Sequence, residues 1–72
     1  MTTVLWVNKK TNIVDNVSLD DRPISEITLP DTHFALDNDT SISVINGQEI
    51  TGQGGIGFTW DGSKLIEPQP LI

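Results

Sequence analysis

Gly57-Phe58-Thr59-Trp60-Asp61-Gly62-Ser63-Lys64-Leu65-Ile66 is the stretch that decides the fold class of this chain. Phe58 and Trp60 stand at alternate positions, which on an extended backbone puts both rings on one side. Asp61-Gly62 comes next, a pair suited to a tight hairpin turn with positive φ, and Leu65-Ile66 supplies a return strand. The chain has only two Trp, two Phe and no Tyr, so half of its aromatic rings sit in this one hairpin. Rings of that size anchor a core or a partner surface.

Working outward from the hairpin, the rest of the sequence also reads as strands. Val4-Leu5-Trp6-Val7 and Ile13 to Leu19 flank Asn8-Lys9-Lys10-Thr11-Asn12, which suits a hairpin loop of about five residues. Strict alternation places Ile13, Val17 and Leu19 on one face with Asp15, and Val14 on the other with Asn16 and Ser18. His33-Phe34-Ala35-Leu36 and Ser41 to Ile45 are expected as strands around the turn-rich Asp37-Asn38-Asp39-Thr40. Asn46-Gly47 is a type I′ turn signal, with Gln48 to Thr51 returning. Gly52-Gln53-Gly54-Gly55 has too little side chain to build core and reads as loop or bulge. Helix is confined to at most one turn between Ile24 and Leu29, because Pro23 and Pro30 bracket that segment and the glycines from 47 to 62 divide the second half of the chain. The expected fold is all-β: a small antiparallel sheet forming a compact barrel or sandwich built from hairpins, with little or no helix. Residues 1–67 form a single small β domain, and 68–72 a Pro-rich C-terminal tail in which Pro68 and Pro70 favour extended geometry.

Size and charge narrow the function. A chain of 72 residues buries only about 60% of its unfolded surface. Small domains compensate with disulfides, a metal or a partner. With no cysteine and His33 as the lone histidine, the expectation shifts to a partner and to a homo-oligomer. The net charge of −6 speaks against nucleic acid, since phosphate binding needs clustered Lys and Arg and the one adjacent pair, Lys9-Lys10, falls at a hairpin tip. No apolar run approaches the about 20 residues of a membrane span, and Val4 to Val7 is too short for a signal peptide.

Several motifs match in letters and fail in context. Gly52-Gln53-Gly54-Gly55-Ile56-Gly57 fits G-x-G-x-x-G, yet it leads into a hairpin and not into the helix whose N-terminus would face pyrophosphate. Asp37-Asn38-Asp39-Thr40-Ser41 resembles the opening of a calcium loop, but Ile42 and Gln48 stand where an EF-hand needs Gly and Glu. A turn held by Asx side chains accounts for the same residues. His33 cannot assemble a Cys/His zinc site alone, and a Ser-His-Asp triad would need a pocket and an oxyanion hole around it. Asp20-Asp21 reads as a loop leading into Arg22-Pro23. The expectation is no enzyme activity and no cofactor. One tryptophan is expected in the core and the other near an interface.

The ending from Ile56 to Leu65, with Glu67-Pro68 and prolines after it, resembles the C-terminal signature of small tailed-bacteriophage proteins: Gly, aromatic, any residue, aromatic, Asp-Gly, a short strand, then prolines. Val4 to Asn8 and Asn12 to Val17 are similar to the first hairpin of the same proteins. Relatives commonly carry Tyr where this chain has Trp60 and an aromatic where it has Leu65, while the stretch from Asp20 to Thr51 matches none of them. The resemblance implies a virion structural protein, assembled in the host cytoplasm, that acts as capsid decoration, cement or a small tail adaptor by binding a larger phage protein. Two alternatives stand beside it: a tail-fibre assembly factor not retained in the virion, and a small regulatory protein binding a host enzyme. In such a role function is burial of surface, and Trp6, Phe58, Trp60, Leu71 and Ile72 are the expected partner-binding residues.

Overall fold

Asn46 and Gly47 both adopt positive φ, 52° and 79°, which is the backbone of a two-residue type I′ turn. They join β4 (Ile42–Ile45) to β5 (Gln48–Thr51), with Ile45 opposite Gln48. The closing hairpin is equally local in origin: β6 (Thr59–Trp60) and β7 (Leu65–Ile66) pair around Gly62, whose φ is 106°. Asp61 accepts the N–H groups of Ser63 and Lys64 at 2.8 and 2.7 Å, fixing that turn. In the first hairpin, β1 (Thr2–Asn8) and β2 (Val14–Asp20), the loop closes through Asn8 N–H to Ile13 C=O at 3.0 Å and Asn12 N–H to Asn8 C=O at 2.7 Å.

The computed structural model describes residues 1–68 and gives an all-β molecule of seven strands. Its helical content is one 3-10 turn, Ile24–Glu26, in the connector that carries the chain from β2 to β3 (His33–Asp37). Pro23 before that turn, its φ of −66° set by the ring, and Ile27 after it are extended. The first sheet has the order β2-β1-β3 and the second β5-β4-β7-β6. Every pairing is antiparallel except β4 with β7, which run parallel because the β5 return and the β6–β7 reversal both lie between them.

The two sheets join at one corner. Ile13 bridges Thr59, Val14 N–H donates to Phe58 C=O and Gly57 N–H to Val14 C=O, both at 2.8 Å, and Trp60 N–H donates to Asn12 C=O at 2.6 Å. The strands therefore trace one path, β3-β1-β2-β6-β7-β4-β5, whose two ends are β3 and β5. Buried Asn38 ties these ends together without a ladder: its backbone N–H donates to Thr3 C=O at 3.0 Å, its Nδ2 to Gly52 C=O at 3.2 Å, and its Oδ1 accepts Gly54 N–H at 2.9 Å. Asp37 Oδ1 accepts the Asp39 N–H at 2.9 Å, so the acidic loop is the expected Asx turn.

Leu5, Val7, Val14 and Leu65 are fully buried and form the core, with Val17, Phe34, Leu36, Phe58 and Trp60 packed on it. One expectation fails here. Val14 lies inside with Val17, whereas Ile13 is 39% and Leu19 66% exposed. A β-bulge turns Val14 inward and Ile13 outward: Trp6 pairs with Asn16 but Val7 with Val14, leaving Asp15 as an extra residue that breaks the alternation of β2. Leu19 keeps the face of Val17 and lies opposite Thr3 near the end of the strand, outside the core cluster. Val4 is fully buried as well yet stands outside the cluster on the opposite face of β1, so the central strand of the first sheet is covered on both sides.

Candidate interaction surfaces

The bulge that turns Val14 inward also aims Asp15 across the outer face of the first sheet. His33 Nε2, on β3, lies 2.8 and 3.0 Å from the two Asp15 oxygens, and Asn8 Nδ2, on β1, donates to the same carboxylate at 3.3 Å. Asp15 is held below the usual carboxylate range, chiefly by the hydrogen bond from His33. The Thr32 hydroxyl lies 2.7 Å from His33 Nδ1. This series clips three strands together, which gives His33 a structural task where a lone histidine offered none in the sequence.

Trp6 belongs to this outer face. Its Nε1–H donates to Ser18 Oγ at 2.9 Å, and its ring meets His33 edge to face, with centroids 5.8 Å apart at 68°. It is half-buried and lies away from the core cluster. Phe58 and Trp60, by contrast, turn toward the core and pack on it. Leu71 and Ile72 lie outside the described residues.

The hairpin that buries Phe58 and Trp60 shows its other side to solvent. Pairing places Ile13 opposite Thr59, Thr59 opposite Ile66, and Ile66 opposite Val44, so these four side chains form one row across the outer face of the second sheet. Ile42 lies two residues along β4 on the same face and is 37% exposed. Sequence patterning missed this row because it is built from single residues of separate strands. Only the parallel β4–β7 pairing and the Ile13 bridge bring them together.

A third feature is a shallow cleft of about 490 Å³ between the first hairpin loop and the turn before β3, lined by Asn8, Lys9, Lys10, Asp31 and Thr32. Lys9 N–H donates to Thr32 C=O at 3.0 Å and closes its floor. The other two cations are engaged: Arg22 pairs with Asp20 at 2.8 Å, and Lys64 pairs with Glu49. Among the described residues, no group of three or more His, Cys, Asp and Glu is placed to hold a metal ion, and no helix is long and apolar enough to cross a membrane. No family model, curated protein or solved structure compared with the chain matches it.

Proposed function

We propose that this chain is a small structural protein of a tailed-bacteriophage virion, a capsid decoration or cement protein or a small tail adaptor, that acts by binding a larger virion protein. The observation that carries the reading is the apolar row Ile13, Ile66, Val44 and Ile42 on the outer face of the second sheet, flanking Thr59. A contiguous apolar stripe on a small acidic protein is a surface for burial against a partner. Support also comes from where the row lies. Thr59 and Ile66 belong to the very hairpin that resembles the phage signature, so one element fixes the fold with its aromatic side and offers contact with the other. Trp6 adds a half-buried aromatic on the outer face of the first sheet. Many such modest contacts, repeated by the symmetry of a shell or tail, add up to firm attachment.

This reading assigns the protein no catalytic step. The hydrogen-bonded series Thr32, His33 and Asp15 is accounted for as a clip between strands. Mass spectrometry of purified virions tests the proposal: the chain should be present at a fixed ratio to a major capsid or tail protein. Its absence from intact particles would end the virion reading, and co-purification with an immature fibre would then establish the assembly factor instead. A regulator of a host enzyme would be captured from host lysate and released by salt, as contacts made through an acidic surface are.

A further inference from the structure

The end strand β3 presents an edge whose chemistry is symmetric about Ala35. From the sheet order, β3 is bonded to β1 on one side only. Asn38 N–H donates to Thr3 C=O and Lys9 N–H to Thr32 C=O, so positions 32, 34, 36 and 38 face β1 while the backbone groups of His33, Ala35 and Asp37 face outward. Two of these are used locally: His33 N–H donates to Pro30 C=O at 3.0 Å, and Asp37 C=O accepts Ser41 N–H at 3.1 Å. Ala35 N–H, Ala35 C=O, His33 C=O and Asp37 N–H remain for another strand.

We propose that a second copy of this chain fills that edge, its β3 running antiparallel to the first with Ala35 opposite Ala35. In a two-fold pairing, opposed residues must share a face, and this register uses the whole strand. Phe34 then faces the partner's Leu36, continuing the apolar inner face, and His33 faces the partner's Asp37, so no like charges meet. The two groups already engaged, His33 N–H and Asp37 C=O, fall opposite each other, so nothing available is left stranded. Each Ala35 exchanges both backbone bonds with its counterpart, and each Asp37 N–H donates to the partner's His33 C=O. The five residues of β3 are all half-buried, with no Lys or Pro at the strand centre to blunt the edge. The other end strand differs: the outward-facing positions of β5 include Glu49, which would oppose itself if the pairing were centred there. The inference concerns self-association only and stands apart from the assignment to a virion.

Sedimentation equilibrium of the full chain across a concentration series tests it, with circular dichroism as the check on folding. The wild type should be a dimer. Ala35→Pro removes an outward N–H that no intramolecular bond uses, and should weaken the dimer roughly thirtyfold through the loss of one bond per copy. Ala35→Lys and Ala35→Glu should each be monomeric alone and should associate with each other when mixed. A wild type that stays monomeric to about 1 mM, a folded Ala35→Pro variant that dimerises as tightly as wild type, or a Lys and Glu pair that fails to associate would each overturn the proposal.

Discussion

Gly54 and Gly47 are required for different physical reasons, and alanine at each would expose the difference. A Cβ on Gly54 would lie 2.7 Å from Leu65 Cδ1, 3.0 Å from Asn38 Oδ1 and 3.2 Å from Leu5 Cδ1. Gly54→Ala therefore pushes on the core and on the buried Asn38 staple at once, and should cost about 3 kcal/mol in urea denaturation. A Cβ on Gly47 would meet nothing within 4 Å, but φ there is +79°. Gly47→Ala should lose only the backbone term, about 1 kcal/mol. Ser43 reverses the sign. Its side chain is fully buried and its Oγ has no hydrogen-bond partner among the described residues. Ser43→Ala removes an unsatisfied hydroxyl with little change of volume, and should raise stability by about 1 kcal/mol in the same assay.

At the scale of elements, the closing hairpin has two faces that mutation can separate. Trp60 packs on the core opposite Leu65, so Trp60→Ala should cost about 3 kcal/mol and shift the thermal midpoint downward. Ile42, on the outer row, is 37% exposed and makes no part of the core cluster. Ile42→Ser should change stability by no more than about 0.5 kcal/mol yet reduce retention on purified particles, measured as the chain's ratio to the major virion protein after sedimentation. A variant retained at the wild-type ratio would remove the row from the attachment surface. The β2 bulge is the other decisive element. One extra residue moves Val14 into the core and sends Asp15 over Asn8 to His33, so a local irregularity sets both the packing of one sheet face and the polar clip on the other.

For the whole molecule, the balance of ten acidic against four basic residues gives stability a predictable acid limb. Asp20 is lowered to about 2, first by the side-chain hydrogen bond from Arg22, and Asp61 is lowered by the backbone N–H groups of Ser63 and Lys64. Asp15 is lowered by its bond with His33. Each of these groups binds its proton more weakly folded than unfolded, so its contribution is complete above the ordinary carboxylate range near 4 and is lost as pH falls through its lowered folded value, which for Asp20 is about 2. Chemical denaturation across that interval should show stability falling with pH, and Asp20→Asn should flatten the slope. The molecule measures 37 × 24 × 18 Å, and its short axis is close to two sheet layers with one apolar layer between them. That single layer explains why so many large apolar side chains stay at the surface, Ile56 at 65% and Leu19 at 66% among them.

The strands and their turns come from the sequence by itself, because the physics that fixes them is local. Asn46-Gly47 demands positive φ, Asp61 binds the amides of its own turn, and Phe58 and Trp60 alternate onto one face. The all-β class needs no more than that. Long-range pairing settles what alternation alone misreads: Val14 is inside because Asp15 is extra, and His33 has a task because the bulge delivers a carboxylate from another strand. The row from Ile13 to Val44 and the symmetric edge of β3 are likewise invisible along the chain. They exist only once hydrogen bonding between distant strands has set register and order, and a one-residue shift in that register would turn each such side chain to the other face.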